Sequence, residues 1–136
     1  MRKLITALLA AAAILPLAAT AEAKPRLNGE AKLSKMLEGR VAGRPQDCIY
    51  LPAVRSSRII DKTAIVYESG STLWVNRPRG GAGSLDDDDI LVTRLNGSGS
   101  QLCSIDIVEL HDQSTHFYNG FVNLGEFVPY KRVASR

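Results

Sequence analysis

The stretch TAIVYESGSTLWVN, residues 63–76, decides the fold class. Two segments rich in β-branched and aromatic residues flank the turn Ser69-Gly70-Ser71, which is typical of a β-hairpin. Side chains alternate along a strand, so successive residues of the hairpin point to opposite faces. Ile65 and Tyr67 are expected on one face, and Ala64, Val66 and Glu68 on the other.

Further short strands, bounded by Gly, Pro, Asn or Asp, are predicted on both sides of this hairpin. They are Cys48–Leu51, Arg58–Asp61, Ile90–Thr93, Gln101–Leu110 as one long strand, and one or two strands within Thr115–Val128. Because no helix separates them, the chain is predicted to be mostly β: a small antiparallel sheet or a partly open barrel. Aromatic residues are expected to fill its interior: Tyr50, Tyr67, Trp74, Phe117, Phe121 and Phe127.

One short helix precedes the strands. Asn28 can cap it, Glu30 falls in its first turn, and Gly39 can end it. The i, i+3, i+4 spacing predicts one apolar stripe, formed by Leu33, Met36 and Leu37. About three turns are too short to persist alone, so the stripe should dock on one face or end of the sheet.

The N-terminus carries the pattern of a secretory signal peptide. Arg2 and Lys3 precede a 16-residue apolar run, residues 4–19, and Ala21-Glu22-Ala23 offers small residues for cleavage near Ala23. The alternative is a membrane anchor, but the run is shorter than the ~20 residues that span a bilayer. The mature chain is therefore predicted to be periplasmic or secreted, with no membrane span.

These features divide the chain into a signal peptide (1–23), a leader with the short helix (24–43), one β-rich domain (44–132) and a tail (133–136). Of its 136 residues, 136 − 23 = 113 would remain after cleavage, enough for one ordinary domain. The net charge of +3 becomes 15 − 13 = +2 once Arg2, Lys3 and Glu22 are removed. Such a weak charge does not favour nucleic acid as a partner.

Cys48 and Cys103 are the two cysteines of the chain. An even count in an exported protein predicts a disulfide, here closing a loop of 103 − 48 = 55 residues. Chain entropy puts its contribution at about 4 kcal/mol. The bridge would place the two cysteines on neighbouring elements.

Two loops carry candidate binding residues. Arg77, Arg79 and Gly81 combine guanidinium groups with flexible backbone, so they are a candidate anion site, although no P-loop pattern follows. The run Asp86, Asp87, Asp88 and Asp89 is a weak candidate for a cation, because its spacing lacks the alternation of an EF-hand. A solvated charged loop that guards a strand edge explains the run equally well.

The remaining motifs favour no catalytic site. His111 and His116 are too few to bind zinc without the cysteines, and no Gly-x-Ser-x-Gly elbow occurs. Asn96-Gly97-Ser98 matches a glycosylation sequon but is also a common hairpin turn, which is the interpretation adopted. The sequence therefore predicts no cofactor, no metal and no catalytic residue.

Several short motifs, in this order, resemble a family of small exported bacterial proteins described only as a domain of unknown function. They are Arg-Ile-Ile-Asp-Lys-Thr at 58–63, Leu-Trp-Val-Asn-Arg at 73–77, Ser-Gln-Leu-Cys-Ser-Ile-Asp at 100–106 and Leu-Gly-Glu-Phe-Val-Pro-Tyr at 124–130. The resemblance spans residues 44–132. It implies a second cysteine pair in relatives, in regions that here read Pro78–Leu85 and Gly120–Leu124 without cysteine.

The function expected from these features is that of a non-catalytic exported module that binds another exported protein or an envelope component. A rigid β framework with loops is a common way to present a binding surface. The alternative is a small hydrolase, or an anion- or metal-binding protein, that uses the Arg77/Arg79 loop and the Asp86–Asp89 run.

Overall fold

The computed structural model describes residues 28–97 and 99–134. The predicted signal peptide and the start of the leader lie outside these residues, as do Ser98 and the last two positions. Of the helices that the structure describes, none has the length and hydropathy needed to cross a bilayer.

The described chain forms one α-helix and ten short strands, arranged in antiparallel sheets. The helix, α1, is Gly29–Met36. The strands are β1 (Arg40–Ala42), β2 (Cys48–Tyr50), β3 (Ser56–Ile60), β4 (Ala64–Ser69), β5 (Thr72–Asn76), β6 (Asp89–Arg94), β7 (Gln101–Cys103), β8 (Ile107–Asp112), β9 (Tyr118–Asn123) and β10 (Phe127–Arg132). They pair as a five-stranded sheet β1-β10-β5-β4-β3, a pair β2-β7 and a three-stranded sheet β6-β8-β9. The sheets do not close into a barrel, and the mostly β prediction is confirmed.

The five-stranded sheet is apolar on both faces because its central hairpin alternates as predicted. Ala64 and Val66 belong to one buried cluster, and Ile65 and Tyr67 belong to the other. The first cluster receives the stripe of α1, in which Leu33 is fully buried. Asn28 caps the helix as expected, its Oδ1 accepting the Ala31 N–H at 2.8 Å.

The second cluster lies between the five-stranded sheet and the smaller sheets. The inward residues of the three-stranded sheet, Val108, Leu110 and Val122, are fully buried there. Leu102 and Ile49 join them from the β2-β7 pair. The molecule therefore has three layers: a helix, a five-stranded sheet, and the two smaller sheets.

The prediction of one long strand over Gln101–Leu110 is wrong. β7 ends at Cys103 and β8 begins at Ile107, because Asp106 turns inward and binds backbone N–H groups. Its Oδ2 accepts the Cys103 N–H at 2.7 Å and its Oδ1 accepts the Asn96 N–H at 2.9 Å. Asp106 is 3% exposed, so it terminates β7 and fixes the corner from the inside.

The prediction of an aromatic interior is partly wrong. Tyr67 and Phe127 are buried with ring centroids 5.8 Å apart. Tyr50, Phe117 and Phe121 are exposed, by 59%, 74% and 46%. Ile, Leu and Val occupy the inward positions of the smaller sheets, which leaves Tyr50 and Phe121 on the outside, and Phe117 lies in the turn before β9. Trp74 is half-buried and packs at the margin of the core.

The strand boundaries also differ from the sequence-based expectations. β1 pairs with β10 at Arg40–Arg132, so the sheet begins before residue 44. The segment Thr115–Val128 does contain two strands, β9 and the start of β10. Short strands such as β1 carry too little alternation to be recognised from the pattern alone.

Candidate binding surface

The two cysteines form the predicted disulfide. Cys48 and Cys103 are directly paired residues of β2 and β7, with Cα atoms 4.0 Å apart. Next to them, the Ser104 N–H donates to the Asp47 carbonyl at 2.7 Å. The bridge therefore joins neighbouring strands that are 55 residues apart in sequence.

Arg77, one of the two arginines of the candidate anion site, is paired with a carboxylate of the helix. Its Nη1 and Nη2 donate to Glu30 Oε1 and Oε2 at 2.6 and 3.0 Å. This hydrogen-bonded pair lowers the pKa of Glu30 and raises the pKa of Arg77. An anion at Arg77 would have to compete with Glu30.

Arg79, the second arginine, is bound to backbone carbonyls. Its Nε donates to the Leu124 carbonyl at 2.9 Å, and its Nη2 donates to the Ser104 carbonyl at 2.6 Å. The side chain therefore connects the β7-β8 corner with the end of β9. Arg77 and Arg79 do line one open groove of about 560 Å³, together with the acidic side chains of Asp47 and Glu126.

Gly81 serves close packing of the loop on β9. It has φ = +80°, and a Cβ at this position would lie 2.4 Å from the Phe121 carbonyl oxygen. Immediately before it, Gly80 and Asn123 form an antiparallel bridge. These contacts account for the glycine without an anion, and the anion site stays a prediction.

The four aspartates of the acidic run make different contacts. Asp88 follows Asp86 in a turn, its N–H donating to Asp86 Oδ1, and Asp89 accepts from the Asn119 amide at 3.1 Å. Asp86 and Asp87 lie beside Asp61, with carboxylate oxygens within 4.8 Å of one another. Sequence reasoning did not include Asp61 because it is 25 residues before Asp86.

This acidic cluster already has basic and backbone partners. Lys32 Nζ lies 2.6 Å from Asp87 Oδ2, and Asp61 Oδ1 accepts the Asp87 N–H at 2.8 Å. The hydrogen bond to Asp87 raises the pKa of Lys32. Cation binding by the run stays a weak prediction.

The two histidines lie at opposite ends of one turn. His116 has φ = +59° in that turn, where its N–H donates to the Asp112 carbonyl at 2.8 Å. Hydrogen bonds from Thr115 and Ser114 lower the pKa of the Asp112 carboxyl. His111 lies on β8 and points to the outside of the three-stranded sheet, toward Glu109 and Tyr118.

Five of the ten large hydrophobic side chains that are exposed within the described residues lie on the outside of the three-stranded sheet. Its residues alternate with the buried row Val108, Leu110 and Val122. We call it the outer face, and its apolar members are Ile90, Val92, Ile107, Tyr118 and Phe121, which are 37–58% exposed. Contiguous exposed apolar side chains of this kind mark interaction surfaces more often than isolated ones do.

A charged group lies in the middle of the outer face. Arg94 Nε contacts Glu109 Oε1 at 2.5 Å, and His111 Nε2 lies 3.3 Å from Glu109 Oε2. The hydrogen bond from Arg94 and then that from His111 lower the pKa of Glu109, so this carboxylate is ionised at neutral pH. His111 also meets the Tyr118 ring edge to face, with centroids 5.7 Å apart.

A shallow cavity of about 290 Å³ lies between the aromatic and charged members of the outer face. Its walls are Arg94, Asn96, Ile107, Glu109, Tyr118 and Phe121. Aromatic walls with a few polar groups suit a partner's side chain, because aromatic and Arg residues contribute most of the energy of protein interfaces.

Sequence reasoning missed the outer face although a signal was present. Val108 and Leu110 are apolar at alternate positions, so Ile107, Glu109 and His111 had to point the other way. The expectation that Phe117 and Phe121 fill the interior led away from this face. Phe121 precedes the inward Val122, and by the same alternation it belongs outside.

Comparison with known proteins yields no relative: no family model, no curated protein and no solved structure matches the chain.

Proposed function

We propose that this protein is an exported binding module whose outer face docks another exported protein. The observation that carries the proposal is the row of Ile107, Tyr118 and Phe121, exposed beside the Arg94–Glu109 ion pair. A complementary partner would cover the aromatic rings with apolar side chains and meet the ion pair with polar groups at its margin. Membership of the family of small exported bacterial proteins that the chain resembles is part of the same proposal.

Export is supported by two independent features. Residues 1–23 carry the signal-peptide pattern, and the disulfide Cys48–Cys103 is a bond that persists in oxidising compartments. The partner would then be met in the periplasm or outside the cell, in keeping with an envelope-associated role.

The outer face is better suited to a macromolecule than to a small substrate. Its cavity is shallow, and the apolar residues extend beyond it along β6 to Ile90 and Val92. The alternative hydrolase or anion-binding function would use Arg77 and Arg79, whose guanidinium groups contact Glu30 and two backbone carbonyls. These contacts favour the binding module over the alternative.

The proposal can be tested with matched aromatic variants. The protein and its Phe121→Ser variant are used as bait for an extract of exported proteins, and the captured partner is then purified and titrated by calorimetry. A centrally placed aromatic residue is worth about 2 kcal/mol or more, so Phe121→Ser should weaken binding by about 30-fold. Tyr50→Ser removes a ring from β2 that is more exposed than Phe121, 59% against 46%, and should leave the affinity unchanged.

Circular dichroism and the thermal midpoint of each variant establish that the fold is intact. Equal loss of binding in the Phe121 and Tyr50 variants would place the contact elsewhere and contradict the proposal. Cleavage of the full chain near Ala23 on export, read by N-terminal sequencing, tests localisation separately.

A further inference from the structure

The edge strand β6 is complementary to itself, and from this we propose that two copies of the chain associate through antiparallel pairing of β6. The inference goes beyond the proposed function, because it concerns the open edge of the three-stranded sheet, where Ile90, Val92 and Arg94 of the outer face meet a second copy, and not the contact made by Phe121. Within the described residues, β6 has a strand neighbour only on the β8 side.

The backbone of β6 is oriented for such pairing. The Gln113 N–H donates to the Asp88 carbonyl at 3.1 Å, and the β6-β8 register is regular from Asp89 to Arg94. Hydrogen-bonded and non-hydrogen-bonded pairs alternate along antiparallel strands. The N–H and C=O groups of Ile90 and Val92 therefore point to β8, and those of Leu91 and Thr93 point to the open side.

The space beside this edge is open. A groove of about 580 Å³ runs along the first half of it, up to Leu91, between β6 and the edge strand β3 of the five-stranded sheet. Ser57, Arg58 and Ile59 line its far wall, and Asp87–Leu91 line the near wall. An added strand would reach the outward backbone groups of Leu91 from this groove and those of Thr93 farther along the same edge.

The charged residues at the two ends of β6 favour a second copy of the chain as the partner and set the register of the pairing. The segment DDDDILVTR, residues 86–94, is acidic at its start and has one basic residue, Arg94, at its end. Antiparallel pairing about Leu91 places Asp88, the turn residue just before β6, beside Arg94 of the second copy, where it would join the Arg94–Glu109 pair, and the same contact recurs across the two-fold axis. Opposite charges that face each other across strands stabilise the pair.

The apolar residues agree with this register. Ile90 comes to lie beside Val92 of the second copy, on the same side of the sheet, so that two 37% exposed side chains cover each other. At the axis, Leu91 of each copy donates to and accepts from its counterpart. The outer faces of both copies then form one surface on a six-stranded sheet, and Phe121 stays accessible on each.

Sedimentation velocity over a range of concentrations tests the proposal on oxidised protein expressed as the full chain in an export-competent bacterium. A monomer–dimer equilibrium is expected. Thr93→Pro removes the N–H that faces the second copy, and the loss of two symmetric hydrogen bonds should weaken the dimer by about 30-fold. Thr93→Val keeps the N–H and is the matched control.

Charge reversal gives an independent test that does not alter the backbone. Asp88→Arg faces Arg94 of the second copy and should weaken the dimer by about tenfold, and the double variant Asp88→Arg/Arg94→Asp should restore it. For the register, Ile90→Cys/Val92→Cys should yield a disulfide-linked dimer, whereas neither single variant should.

A protein that is monomeric at millimolar concentration overturns the proposal, as does a dimer that is indifferent to both Thr93→Pro and Asp88→Arg. A monomer whose β6 edge binds an extended peptide of another protein also overturns it. Capture of a partner through Phe121 is measured separately, so the proposed function and the dimer can fail independently.

Discussion

Two contacts connect distant parts of this chain in similar ways, one with a covalent bond and one without. At the first, Cys48 and Cys103 pair on adjacent strands and are joined by a disulfide. At the second, Gly80 and Asn123 form an antiparallel bridge, in which the Asn123 N–H donates to the Gly80 carbonyl at 3.0 Å. We call them the disulfide contact and the glycine contact.

The difference teaches how a backbone contact can be stabilised without a cross-link. At the glycine contact, Gly81 lets the loop approach β9 more closely than any side chain would allow. Arg79 then connects the two contacts, because it donates to the carbonyls of Leu124 and Ser104, the residues that follow Asn123 and Cys103.

The largest effect is expected from loss of the disulfide. Cys48→Ser/Cys103→Ser frees a 55-residue loop in the unfolded chain and should lower the free energy of unfolding by about 4 kcal/mol. Urea denaturation measures this change, and chemical reduction of the wild type should reproduce it. If the free energy of unfolding fell by less than about 1 kcal/mol, the disulfide would add little and the glycine contact would be enough to stabilise the fold.

The next effect is expected at Gly81. Gly81→Ala forces a side chain into the left-handed region and against the Phe121 carbonyl, so it should destabilise the fold by roughly 2–3 kcal/mol. Gly83→Ala in the same loop meets nothing within 4 Å and should change stability by less than about 0.5 kcal/mol. Equal thermal midpoints for the two variants would show that the loop does not pack on β9.

A cross-link at the glycine contact would make the two contacts alike. A Cβ built on Gly80 lies 4.0 Å from the Asn123 Cβ, within the ~3.5–4.5 Å usual for a disulfide. Gly80→Cys/Asn123→Cys should therefore oxidise spontaneously and add about 2 kcal/mol over the Gly80→Ser/Asn123→Ser control. Mass spectrometry counts the bonds, and two free thiols beside an intact native bridge would contradict the geometry.

The smallest effect is expected at the residue that joins the two contacts. Arg79→Met removes two hydrogen bonds to backbone carbonyls and should cost about 1 kcal/mol, the usual net contribution of a hydrogen bond, because the Ser104 carbonyl can bind water instead. Arg77→Met is the matched control, because its exposed ion pair with Glu30 should contribute less than about 0.5 kcal/mol. If urea denaturation shows a larger loss of unfolding free energy for Arg77→Met than for Arg79→Met, then Arg77 is the residue that stabilises the fold.

Tyr67 places a buried hydroxyl in the core beneath these contacts. Its hydroxyl makes no hydrogen bond within the described residues, and burial raises its pKa well above the usual range. The folded state thus keeps the proton, and stability should fall as the pH rises above the unfolded value near 10. Tyr67→Phe should abolish this loss in alkaline denaturation, whereas Tyr50→Phe should not.

Local patterns predicted the features that depend on neighbours in sequence. The hairpin of β4 and β5 and the cap at Asn28 follow from alternation and from side-chain chemistry within a few residues. The disulfide followed from a count of two cysteines. Asp106 did not follow, because its partners include Asn96, ten residues away, and only folding brings the Asn96 N–H to its carboxylate.

The candidate surface was less predictable than the fold. An aromatic residue in a strand is expected inside on hydrophobicity alone, yet Phe121 lies outside because Val122 already fills the inward position. Arginines beside glycines suggest an anion site, but the acceptors of Arg79 come from β9 and the β7-β8 corner. Both outcomes depend on contacts between segments far apart in the chain.

By itself, the amino-acid sequence determined the antiparallel β class, the helix capped by Asn28 and the pairing of Cys48 with Cys103, since each depends on local periodicity or on residue counts. Tertiary structure alone decided the three layers, the exposed outer face and the tasks of Arg77, Arg79 and Asp61. The physical reason is that a side chain's function depends on the acceptors, charges and apolar surfaces around it, and packing of distant strands supplies these.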